Sequence, residues 1–201
     1  MLGRVLEGLA SAVGSAGTVV GVRDATEEPH FEPIALVHGA EVRRYGDRLA
    51  AEVTVPGDEA GAREKGFRAL ARFIFGGNEG REKLAMTIPV AQLPAEDAWT
   101  IRFFMPADRS ETTLPKPSDA SVRLVTLPAG DYAVMRFRGS PTADAVALRK
   151  ARLMAALSSG AWAAEGEPEA WFYDPPWTVP TLRRNEVAVR VSPREPAPPR
   201  P

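Results

Sequence analysis

The chain has 201 residues, of which 44% are hydrophobic and 25% charged, enough for a core that needs no staples and ordinary for a soluble globular protein. Its 25 Lys and Arg against 26 Asp and Glu leave a formal net charge of −1, which argues against a protein that wraps nucleic acid or an anionic membrane. Cysteine is absent and His30 and His38 are the only histidines, so disulfides, thiolate metal sites and a cysteine nucleophile are excluded, and no HExxH spacing offers a zinc hydrolase.

Residues 1–22, MLGRVLEGLASAVGSAGTVVGV, are apolar and rich in small residues. Glu7 and five glycines interrupt the run, so it reads as a short docking helix and loop within an N-terminal segment 1–31, not as a transmembrane span; a cleaved signal and a membrane-surface contact are the alternatives. A bacterial cytoplasmic protein is expected, or a periplasmic one if residues 1–22 act as a signal.

RLAAEVTV sets Leu49, Ala51, Val53 and Val55 on one face and Glu52 and Thr54 on the other, the pattern of a half-buried strand. A helix follows in DEAGAREKGFRALARFIFGG, with Phe67, Leu70, Ala71 and Ile74 at helical spacing, Asp58 and Glu59 at its start and Gly76 and Gly77 at its stop. KLAMTIPVAQL and WTIRFFM then flank the turn-prone PAEDA as a hairpin. The polar ADRSETTLPKPSDA, with Pro115 and Pro117, marks a seam in the chain.

After the seam the order restarts. SVRLVTL and DYAVMRF read as strands, and Ser140 with Pro141 offers a cap for the helix TADAVALRKARLMAALSSG, whose stripe is Ala147, Ala151, Met154 and Ala155. EAWFYD and NEVAVRV complete this half, and SPREPAPPRP reads as a disordered tail, 192–201. GDRLAAEV matches GDYAVMRF, and Met86-Thr87-Ile88-Pro89 matches Trp177-Thr178-Val179-Pro180. These matches predict an α+β fold: a pseudo-symmetric pair of βαββ repeats, about 32–106 and 120–191, packed together as one domain.

EVRRY at 41–45, GGN at 76–78, KLAMTIPV, WTIRFFMP, YDPPW and LRRNEV, in this order over roughly 32–191, resemble the SOUL haem-binding family. The resemblance implies a distorted β-barrel or sheet flanked by two long helices, an architecture also similar to GyrI-like ligand-binding domains. The resemblance implies haem or another tetrapyrrole, metal-free porphyrin included, bound in a hydrophobic pocket beside the first long helix without obligatory iron ligation. Phe67, Leu70 and Ile74 would supply apolar surface, Trp177 a stacking lid, and Arg63, Arg72 or Arg183 a partner for propionates, since guanidinium pairs bidentately with carboxylate. Where some members carry a histidine in the EVRRY motif this chain has Arg44, which cannot ligate iron. His38 is the candidate axial ligand, with His30 beside it; a surface role competes for both.

The function expected is non-catalytic tetrapyrrole binding as a buffer, carrier or sensor. The alternatives are a binding module for other flat hydrophobic molecules and a GyrI-like small-molecule hydrolase using Glu52, Glu169 or Glu186, all three of which read as solvent-facing. No GxSxG, P-loop or strand-to-helix GxGxxG is present, which favours binding over catalysis.

Overall fold

A computed structural model describes residues 26–194. The predicted segment 1–22 and most of the predicted tail lie outside the described residues. Nine strands and two long helices run in the order β1 (Phe31–Val37), β2 (Ala40–Tyr45), β3 (Arg48–Pro56), α1 (Glu59–Ile74), β4 (Val90–Ala95), β5 (Ala98–Phe104), β6 (Arg123–Leu127), β7 (Gly130–Arg138), α2 (Ala143–Leu157), β8 (Trp162–Phe172) and β9 (Arg184–Pro193). One turn of 3₁₀ helix, Pro180–Leu182, precedes β9.

The strands form a single sheet in the order β1-β2-β7-β9-β8-β4-β5-β3-β6, with every pairing antiparallel. The α+β repeat architecture is as expected. Outward from the central pair β4–β8, the order reads β5, β3, β6 on one side and β9, β7, β2 on the other, so the two repeats face each other across that pair. Each repeat surrenders its leading strand: β2 pairs with β7 of the second half and β6 with β3 of the first.

This exchange curls the sheet. Five strands separate β2 from β3 in the hydrogen-bonded order, yet only Gly46 and Asp47 join them. The equally short β6–β7 connection meets it, Ala129 N donating to Asp47 Oδ1 at 2.7 Å. The edge strands β1 and β6 do not pair with each other, so the barrel stays open.

Curling gives the sheet an outer face under the helices and an inner face without them. α1 lies on β3 and β5 and α2 on β7, β8 and β9, leaving β4 between the two. Under α1, Leu70, Phe73 and Ile74 pack with Val53, Ile101 and Phe103; under α2, Leu153 and Leu157 pack with Phe137, Phe172 and Val187. The inner face gathers Tyr45, Phe104, Tyr132, Trp171, Tyr173 and Ala188 from strands at both ends of the order.

The first helix begins as its sequence dictates, with Asp58 accepting from Gly61 N, and ends before Gly76 at φ 101°. The second differs in two respects. Its cap is Thr142, accepting from Ala145 N, so Pro141 precedes the cap. Its buried stripe is Val146, Leu153, Ala156 and Leu157, and Ala147, Ala151, Met154 and Ala155 are exposed. In so alanine-rich a helix the few large side chains decide the rotation, because burying them removes more apolar area from water.

Two strand expectations also change. β4 begins at Val90 and not at Lys83; Lys83 and Thr87 make only isolated bridges, and Pro89 lacks the N–H a ladder needs. Leu114 of the predicted seam is buried in the core under α1.

Candidate functional site

Between the helices, over β4 and β8, two cations reach across the outer face. Arg63, from α1, places its Cζ 4.7 Å from the ring centroid of Phe172 on β8. Lys150, from α2, places its Nζ 5.8 Å from the ring of Trp99 on β5. Each helix thus sends a charge to an aromatic face of the opposite half. Buried Gln92 of β4 forms the floor: its Nε2 donates to Glu59 O at 2.7 Å and its Oε1 accepts from Arg63 Nη1 at 3.3 Å.

Neither cation forms an ion pair among the described residues. Burial lowers the pKa of both, with Glu59 pulling weakly the other way. A half-buried cation held only by a neutral amide and ring faces retains most of its hydrogen-bonding capacity for an anion.

The other predicted residues are dispersed. Phe67 is one turn beyond Arg63 on α1, half-buried, its ring 5.2 Å from that of Phe103. Leu70 and Ile74 point into the core against the sheet, at 0% and 1% exposure; a ligand could reach them only by lifting α1. Arg72 is exposed, about 13 Å further along the helix from Arg63. Arg183 closes the YDPPW turn, donating to the carbonyls of Thr178 and Pro176. Trp177 is partly exposed in that turn. His38, at φ 45°, and Gly39, at φ 84°, turn the β1–β2 hairpin, and the imidazole is exposed. His30 lines an open groove of about 710 Å³ with Arg44, Asp131, Glu165 and Arg190.

The inner face holds charges that alternation concealed. Glu186 of β9 is 0% exposed. It accepts from Arg43 Nη1 at 2.8 Å, Arg43 Nη2 at 3.2 Å, Tyr173 Oη at 2.7 Å and Arg184 Nε at 3.1 Å. Arg184 continues to Glu28, at 2.8 and 3.0 Å, and lies 3.7 Å over Tyr173. Burial works against the Glu186 carboxylate, but Arg43, Arg184 and Tyr173 outweigh it and its pKa falls; burial pushes Tyr45 up to about 12.

On the same face Arg102 grips Glu52 at 3.1 and 2.8 Å, Arg123 meets Glu52 at 3.0 Å, and Glu169 lies 3.8 Å from Arg102. The three carboxylates expected to face solvent are therefore buried, because the curl turns the polar-looking side of each strand inward. Of the two neighbouring arginines, the one facing the interior is Arg184, not Arg183.

Lys150, Trp99, Phe172 and Gln92 escaped sequence reading, as did Arg43, Arg48 and Tyr173. Lys150 follows Arg149 on a helix and looks like solvated charge. Arg43 carried a signal, since in EVRRY it is two residues from Tyr45 and so shares its face of the strand, with Arg44 exposed on the other.

A protein-family model described as "SOUL heme-binding protein" matches residues 26–190. No curated protein matches the chain. Among solved structures, the EcmrR C-terminal domain aligns with a TM-score of 0.54 at 12% identity, covering 80% of this chain and 100% of that one. An uncharacterized conserved protein from Listeria innocua aligns at 0.58 and 13%, covering 79% and 94%. A hydrolase from the same organism aligns at 0.56 and 14%, again covering 79% and 94%. At such identities the likeness is one of fold, the GyrI-like architecture expected from the repeats.

Proposed function

Because the chain belongs to the SOUL heme-binding protein family, we propose that it binds haem or a related tetrapyrrole non-catalytically, in the seam between α1 and α2. The observation that carries this reading is the pair Arg63 and Lys150, both without a carboxylate partner among the described residues and both laid over aromatic rings. A tetrapyrrole presents a flat apolar ring and two carboxylates. Half-buried Trp99 suits the first and the two cations the second, while Phe172, buried in the core, holds Arg63 in place.

The donor set suits the macrocycle better than its iron, since His38 projects from an exposed hairpin turn. When bound, haem would add redox and ligand chemistry at iron. The residues of this chain would bind its edges and exclude water from one face. Hydrolysis needs a carboxylate free to take a proton; pairing with guanidinium groups removes Glu52 and Glu186 from that role, and of the three candidates only Glu169, whose Oε2 has no donor, keeps it.

Titration with haem and with metal-free protoporphyrin, followed by the Soret band and tryptophan quenching, tests the reading. Comparable affinity for both ligands is expected, with an unchanged Soret maximum in His38→Ala. Arg63→Ala with Lys150→Ala should weaken both by about tenfold or more, the worth of one or two charge-assisted hydrogen bonds. Absence of binding below about 10 μM, or an unaffected double variant, overturns it.

A further inference from the structure

The inner face contains one cation whose surroundings are unlike those of its neighbours. Arg48, the first residue of β3, is 8% exposed. Its Cζ lies 4.2 Å from the ring centroid of Tyr45, 4.8 Å from Tyr132 and 5.2 Å from Phe104. Arg43, Arg102 and Arg184 on the same face all hold carboxylates. Arg48 makes no hydrogen bond or ion pair among the described residues, and its buried Nε has no acceptor.

Aromatic rings stabilise the charge of a guanidinium but accept none of its in-plane N–H groups. A buried guanidinium without an acceptor costs several kcal/mol of order, so its retention here asks for a missing partner. The space for one is adjacent. Arg48 lines a cavity of about 10 Å³ with Glu28, Phe31, Pro89, Trp171 and Tyr173, room for roughly one water-sized occupant. Of the other polar groups of that cavity, both Glu28 oxygens accept from Arg184 and Tyr173 Oη donates to Glu186, while Trp171 Nε1 is a buried donor without an acceptor. Glu169, the carboxylate whose charge Arg48 feels, lies beyond hydrogen-bond distance of it. The available donors are Arg48 and Trp171 Nε1.

We propose that Arg48, held by Tyr45, Tyr132 and Phe104, is the anchor of a buried site for a single monatomic anion of chloride size. The site is on the opposite face of the sheet from the α1–α2 seam and independent of it. The rings hold the guanidinium and leave its N–H edge toward the cavity. Those N–H groups select an acceptor carrying charge, and the cavity's size excludes a bulky one.

Chlorine NMR of the full chain tests the site. Saturable broadening of the chloride resonance is expected, relieved by added bromide and not by the bulkier sulfate at equal ionic strength. Arg48→Met should lower the saturable broadening by about tenfold, the worth of a charge-assisted hydrogen bond, and Arg48→Lys should retain part of it. Arg63→Ala with Lys150→Ala should leave it unchanged, so failure here and failure of tetrapyrrole binding are distinguishable. Thermal unfolding adds a second readout. Chloride should raise the wild-type Tm more than that of Arg48→Met, whose Tm in chloride-free buffer should equal or exceed the wild type because an unpaired buried charge is gone. Non-saturable broadening in the wild type, broadening that bromide does not relieve, or equal broadening in Arg48→Met overturns the proposal; should Arg48→Met not fold, the wild-type competition and Arg48→Lys decide it.

Discussion

Two buried glutamates on one face of the sheet have opposite titration behaviour, and their neighbours explain why. Burial raises the pKa of Glu169, opposed by Arg102 and Arg48 from beyond hydrogen-bond distance; its Oε2 has no donor. A raised carboxyl pKa means that the folded chain holds the proton more tightly than the unfolded one. Stability is therefore lost as pH rises from the ordinary value, about 4, through the raised one. Glu169→Gln should raise Tm near neutral pH and give no gain well below pH 4 or so, measured by thermal unfolding across pH. A lower Tm at neutrality would show that the carboxylate is satisfied after all. In Glu186 the sign reverses. Its depressed pKa contributes stability above the ordinary carboxyl value, lost as pH falls through the depressed one. Arg43→Met leaves that carboxylate short of its bidentate partner and should cost about 3–5 kcal/mol in urea unfolding, whereas loss of the exposed pair Arg44–Asp131 should leave the urea midpoint nearly unchanged.

At the scale of elements, α1 sits against the sheet at a distance set by Gly66. A Cβ there would lie 2.4 Å from Ile101 Cγ1 and 2.7 Å from Ile101 Cβ. Alanine gains about 1 kcal/mol of helix propensity over glycine, but the overlap with a fully buried isoleucine costs more. Gly66→Ala should destabilise by about 1–2 kcal/mol net, read as a lower urea midpoint, and an unchanged midpoint would mean that the helix slides. This contact also marks where sequence reading ends. The stripe Leu70, Ala71 and Ile74, the Asp58 cap and the strand alternation of β3 and β5 were legible because each is fixed by residues within a few positions. The rotation of α2 was not, since Ala147 and Ala156 are alike to a sequence and only the sheet beneath distinguishes them. Glu52, Glu169 and Glu186 were misread for a related reason: a charged residue opposite an apolar stripe looks solvated unless the sheet is known to curl. Arg63 was legible as a cation on the first helix, but its companion Lys150 is distant in the chain and joins it only in the folded molecule.

At the scale of the whole molecule, the repeat was readable from local matches such as the two Gly-Asp turns, while the exchange of β2 and β6 was not, because pairing order is a property of distant segments. That exchange makes the halves interdependent. Without the second half, β2 loses β7, β4 loses β8 and β3 loses β6. Tyr45 and Phe104 lose Tyr132 and Trp171, to which their rings lie within 5.6 to 6.5 Å. Arg43 loses Glu186 as well. A half would thus present unpaired strand edges, an uncovered aromatic face and an unpartnered buried charge at once, costs that α1 on one side of three strands cannot offset. Fragments 26–120 and 121–194 should each lack cooperative unfolding when expressed alone, and should regain it on co-expression as a non-covalent pair, measured by circular dichroism and by dispersion of amide resonances. The complemented pair should also recover tetrapyrrole binding, because Arg63 and Trp99 come from one fragment and Lys150 and Phe172 from the other. Cooperative folding of the first fragment by itself would mean that the exchanged strands are decorations on two autonomous halves, and a bound tetrapyrrole in that fragment would move the ligand site away from the seam.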